Sequence, residues 1–143
     1  MATVELLFSA LPEHVRTARL VAAAVARRAG VDEAVLDEVR LAVGEACTRA
    51  VGLHRMNEVD QPVLVRLTEE EKKFSIEVGD GIPAGPGASG GPAGAGADEA
   101  DDESRMGLAV ISGLVDDVEV TTGPDGGTIR MTWPVSPAAV HQV

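Results

Sequence analysis

The chain opens with a short run, Thr3 to Phe8, whose mix of apolar and polar positions predicts a strand. After Pro12 the period changes to that of a helix: Val15, Ala18, Ala22, Val25 and Ala29 recur on one face, and Gly30 supplies a stop. Asp32 is placed to cap a second helix with an apolar stripe of Val35, Val39, Ala42, Val43, Ala46 and Ala50, the most regular periodicity in the sequence. Val63 to Leu67 and Phe74 to Val78 then alternate around the charged turn Glu69 to Lys73, which predicts an antiparallel hairpin. Met106 to Val115 is almost continuously apolar and too long for a typical strand, so a buried helix is expected there. Val118 to Thr122 and Thr128 to Trp133, joined across Gly123 to Gly127, predict a second hairpin.

The order strand, helix, helix, hairpin, helix, hairpin implies an α/β two-layer sandwich. Its sheet is mostly antiparallel, of about five strands, with three helices on one face. One domain over residues 1–135 accounts for these elements, with 136–143 as a C-terminal tail. Between Gly81 and Ala97, seven Gly, three Pro and five Ala leave only Ile82 and Ser89 as other residue types. Five acidic residues follow within Asp98 to Glu103, so 81–103 reads as a flexible lid over a pocket or, on composition alone, as a disordered segment.

Composition narrows the partners. Twelve Lys and Arg against 23 Asp and Glu give a formal charge of −11, and aromatics are only 2% of the 143 residues, with no Tyr. So acidic a surface without stacking platforms argues against nucleic acid and against an anionic membrane. The single Cys47 excludes an internal disulfide and, lying in a helix, fits a packing role in a reducing compartment. His14, His54 and His141 lack metal-ligand spacing, so no metal site is expected. The N-terminus shows no signal-peptide pattern and no apolar stretch is long enough to span a bilayer, which leads to a cytoplasmic expectation.

Glu45 and Arg49 share one flank of the second helix as i,i+4 neighbours, an arrangement that by itself is a surface ion pair. In context, Leu41-Ala42-Val43 followed by Glu45-Ala46-Cys47-Thr48-Arg49-Ala50-Val51 resembles the N-box helix of the anti-sigma-factor serine kinases. These are small bacterial members of the ATPase superfamily that includes histidine kinases and DNA gyrase. Val78-Gly79-Asp80-Gly81 falls where that family has its first glycine box. Ser104-Arg105-Met106-Gly107-Leu108, with Ile111 to Asp117, is similar to the second box and third helix. Gly126-Gly127-Thr128-Ile129-Arg130-Met131-Thr132 resembles the closing strand. The resemblance runs from Val4 to about Trp133 and implies the histidine-kinase-like ATPase fold.

It also implies roles. Glu45 matches the glutamate that polarises the attacking hydroxyl, Asp80 the carboxylate that accepts the adenine amino group, Gly107 a glycine of the second box, and Thr128 a threonine near the adenine pocket. The departures are as specific. Where the family has a magnesium-ligating asparagine stands Arg49, which has five donors and no acceptor. Arg49 is therefore expected either to pair with Glu45 and close the site, the favoured arrangement, or to meet phosphates directly. Ile82 and Ala84, with Pro83 between, occupy the glycine positions of the first box, and Arg105 stands at a glycine of the second. Ser104 and Arg105 at a helix start would still form an anion site, though the acidic run before them repels triphosphate. ATP and magnesium are thus expected only if the site is active, and no cofactor otherwise.

On the first helix Arg16, Arg19 and Arg27 frame Leu20 and Ala23, a local positive patch in an acidic chain. The resemblance makes this patch a partner-binding face, since the family uses that helix against a sigma factor and a STAS-type anti-anti-sigma antagonist, and its contact arginine aligns with Arg19. Two classes of function follow: an anti-sigma-factor-like regulator acting by protein binding, and an ATP-dependent serine kinase that phosphorylates an anti-anti-sigma protein. A homodimer, as in relatives, stays open.

Overall fold

The computed structural model describes residues 2–81, 107–123 and 126–135. Five strands form a single sheet: β1 (Ala2–Phe8), β2 (Val63–Glu69), β3 (Lys73–Asp80), β4 (Asp117–Gly123) and β5 (Gly126–Pro134). Their spatial order is β1-β2-β3-β5-β4, and every neighbouring pair is antiparallel. Between β1 and β2 the chain forms α1 (Glu13–Ala29), a short 3-10 turn (Glu33–Val35) and α2 (Leu36–Met56). Residues 107–114, here α3, are helical as well. The α/β two-layer sandwich and both hairpins are therefore as the sequence predicts.

One sheet face supplies the core. Val63, Val65 and Leu67 of β2, Phe74, Ile76 and Val78 of β3, and Ile129, Met131 and Trp133 of β5 are buried beneath the helices. Val39, Ala42, Val43, Ala46 and Ala50 of α2 are buried against them, the stripe that the periodicity marks, with Val35 partly buried at its margin. Two polar contacts fix α2 along the sheet. The Trp133 indole N–H donates to Glu38 Oε2 (2.8 Å) in the first turn of α2, and His54 in the last turn reaches the end of β3. Asp32 caps the 3-10 turn by accepting from the Ala34 N–H (3.0 Å), and Gly30 ends α1 in the left-handed conformation (φ 101°), a geometry that L side chains rarely adopt.

Two expectations are corrected. The apolar face of α1 holds as expected, with Ala18, Ala22 and Ala29 buried and Val15 and Val25 partly buried against the core, but it extends further, to Ala23 and Ala26. Consequently Ala23, expected in the exposed basic patch, is 7% exposed, whereas Leu20 on the same side is 60% exposed. Both positions lie at the same edge, but a single methyl does not reach past it. In addition, α3 is amphipathic rather than buried throughout. Ile111 is buried, with Val115 just beyond the helix and Leu108 and Leu114 partly covered, while Ala109, Val110, Ser112 and Gly113 face outward. A continuous apolar run hides such a stripe.

The opposite sheet face is largely polar, apart from Leu7 opposite Leu64 at one end. One row crosses all five strands in register: Glu5 opposite Arg66, Arg66 opposite Glu77, Glu77 opposite Arg130, Arg130 opposite Glu119. Arg66 bridges Glu5 at 2.9 Å and Glu77 at 3.9 Å. Among the described residues no helix is long and apolar enough to cross a membrane.

Candidate functional site

The site forms where the C-terminal half of α2 passes the end of β3. Asp80, the last residue of β3, is in register with Gly127 of β5, and Gly79 with Thr128. Asp80 Oδ1 accepts the Gly127 N–H at 3.3 Å. The glycine pair is needed for this closeness. A Cβ on Gly127 would stand 2.9 Å from Asp80 Oδ2, and one on Gly126, whose φ is +124°, would collide with the Asp80 carbonyl oxygen.

From the other side comes Arg49. Its guanidinium lies 3.7 Å from Asp80 Oδ2, with the two side chains 15% and 6% exposed. At that separation the contact is one of charge rather than a hydrogen bond. Burial lowers the Arg49 pKa from its ordinary value, and the Asp80 carboxylate opposes that shift, so the pair belongs to a water-poor environment. The Arg49 stem lies beneath the start of α3, where a Cβ on Gly107 would sit 3.9 Å from Arg49 Cβ.

Arg49 thus takes Asp80 and not Glu45 as its ion-pair partner among the described residues, correcting the favoured expectation. The i,i+4 relation within α2 is visible in sequence, but β3 brings a more deeply buried carboxylate to the other side of Arg49. Glu45 is half-buried one turn earlier on α2. Of the expected nucleotide-site residues, the structure gathers Arg49, Asp80 and Gly107, with Thr128 next to Gly127. Ile82, Ala84, Ser104, Arg105 and the whole of Asp98 to Glu103 lie outside the described residues, as does the tail 136–143.

Sequence reading missed one positioning residue. His54 is fully buried, with Nδ1 2.8 Å from the Gln61 carbonyl oxygen and Nε2 2.9 Å from the Gly81 nitrogen. Because the Gly81 N–H donates, Nε2 is the acceptor and Nδ1–H the donor. The ring therefore ties the residue after Asp80 to the segment leaving α2, holding the carboxylate near Arg49. A histidine continuing the apolar stripe of Cys47, Ala50 and Val51 near a helix end was the available signal, but nothing local names Gly81 as its partner.

On the outer side of α1, Arg16, Arg19 and Leu20 are exposed, whereas Ala23 is not. The Arg19 stem lies across α2 at Gly44, where a Cβ would meet Arg19 Cδ at 3.0 Å. Arg16, Arg19 and Arg55 form no ion pair among the described residues, while Arg27, Arg28, Arg40 and Arg66 each have a carboxylate. The chain thus carries an interior charge pair at the end of the sheet and a separate basic surface on the helical hairpin.

A search of the curated proteins returned no match. The family model for a histidine kinase-like ATPase domain matches residues 8–133, from the end of β1 to Trp133 of β5. Since that match covers most of the chain and spans the elements just described, the protein belongs to the histidine kinase-like ATPase family.

Proposed function

We propose that this member of the family acts by protein binding, as a cytoplasmic regulator of the anti-sigma-factor kind that holds a sigma factor, a STAS-type anti-anti-sigma antagonist, or both. The observation that carries the reading is the buried Arg49–Asp80 pair. The carboxylate that the resemblance assigns to the adenine amino group lies against a guanidinium, and that guanidinium stands where the resemblance calls for a metal ligand. Arginine offers a metal no lone pair and adds a positive charge at the point where a cation would enter. The residues present therefore do not fit a magnesium nucleotide. The exposed Arg16, Arg19 and Leu20 on α1 support recognition of an acidic partner instead.

Glu45, Asp80, Gly107 and Thr128 favour the second reading, an ATP-dependent serine kinase acting on an anti-anti-sigma protein. Isothermal titration with Mg-ATP separates the two. No micromolar binding is expected, and such binding by the wild-type protein would overturn the binding-only reading. Arg49→Asn alone is expected not to give phosphate transfer, because Ile82, Ala84 and Arg105 still stand at glycine positions. Transfer by that single variant would return the chain to the kinases.

A further inference from the structure

Between the start of α1 and the last turns of α2 lies a groove of about 560 Å³, lined by Pro12, Val15, Thr48, Val51, Gly52 and Met56, with Arg55 at its rim. Its margins are unusually apolar for an exposed site: Met56 is 54% exposed and the neighbouring Leu11 42%. A Cβ at Gly52 would meet nothing within 4 Å, so the floor is open there. One turn of α2 beyond the Thr48 end, the Arg19 stem crosses Gly44.

The charge around it is distinctive. In a chain of formal charge −11, Arg16, Arg19 and Arg55 form no ion pair among the described residues; Arg55 lines the groove, Arg16 follows its lining residue Val15 in the chain, and Arg19 lies one turn of α2 beyond its Thr48 end. From Thr48 to Met56 the groove follows α2 for about 12 Å at 1.5 Å per residue, roughly two helical turns. A furrow of that length between two helices, apolar at the floor and basic at the rim, matches the apolar stripe and acidic flanks of an amphipathic helix.

We propose that this groove is a docking site for an acidic amphipathic helix of a partner protein. The apolar stripe of that helix packs on Val15, Val51, Gly52 and Met56, and its carboxylates meet Arg16, Arg19 and Arg55. The inference rests on the reading that the protein works by binding a partner, and adds which kind of partner surface it holds.

The test uses the full chain and a synthetic three-turn helical peptide with leucines at i, i+3, i+4 and i+7 and glutamates on its flanks. A second peptide carries lysine at every glutamate position. Fluorescence anisotropy is expected to show micromolar binding of the acidic peptide and at least about tenfold weaker binding of the basic one. Gly52→Leu, which fills the open floor and raises helix propensity, is expected to weaken the acidic peptide about tenfold without lowering the melting temperature. Arg55→Glu should reverse the preference between the peptides. Equal binding of both peptides, or an acidic peptide indifferent to Gly52→Leu, would overturn the groove. Capture of partners from the native cytoplasm keeps the two readings distinct. If Arg19→Glu abolishes capture while the Gly52→Leu variant captures as the wild type does, the groove inference fails and the binding reading stands. If capture survives Arg19→Glu, the binding face on α1 fails, whatever the peptide does.

Discussion

A guanidinium at position 49 changes what the carboxylate at position 80 can do, because each leaves most of its water behind to lie beside the other. Removing one partner of such a pair leaves the other charge buried and is costly, whereas removing both is milder. Arg49→Leu is expected to lower stability by about 3 kcal/mol in urea denaturation, with Asp80→Asn in the same background recovering a large part of it. Strictly additive losses would mean that the two charges are not coupled. Cys47 offers a test by pH. Burial pushes its thiol from 9.0 up to about 12, so the folded protein keeps a proton that an unfolded chain releases. The stabilisation is complete below pH 9 and is lost as pH rises toward about 12, at about 1.4 kcal/mol per pH unit. Measured stability should fall over that window in the wild type and less steeply in Cys47→Ala. The buried setting of Cys47 was legible from its place in the α2 stripe. The Arg49–Asp80 contact was not, since it exists only once β3 and α2 lie side by side.

Elements announce themselves through punctuation more than through faces. Gly30 and the charged turn before β3 mark boundaries that the structure keeps, because left-handed caps and hairpin turns are decided within a few residues. Asp32, expected to cap the second helix, caps the 3-10 turn instead, and α2 begins at Leu36 without a side-chain cap. The width of a face is another matter. An α1 so rich in alanine gives little contrast between its sides, so the expected face stops short of Ala23 and Ala26, which are buried too. The glycines allow an experiment at this scale. Gly30→Ala, forced into φ 101°, should cost about 1 kcal/mol. Gly52→Ala, within α2 and facing open space, should gain about 0.5–1 kcal/mol. Calorimetric melting temperatures are expected to move by a few degrees in opposite directions. A shift of the same sign for both would contradict the conformations assigned to them.

For the molecule as a whole, the buried Arg49–Asp80 pair and the proposed binding face sit apart, one inside at the end of the sheet and one outside on the α1–α2 hairpin. Arg19→Glu is therefore expected to abolish partner capture in a pull-down with almost no change in thermal stability, because its stem rests on Gly44 but its charge serves no internal partner among the described residues. Net charge could not disclose this surface, since acidic residues elsewhere conceal a local excess of arginine. The charged row on the uncovered sheet face carries a different lesson. Chain order alone would lay β4 beside β3, yet β5 enters between them. In the equivalent register, β4 beside β3 would set Glu119 against Glu77, two like charges, whereas β5 offers Arg130 to both. By charge, the row thus favours β5 over β4 as the neighbour of β3, setting an opposite rather than a like charge beside Glu77.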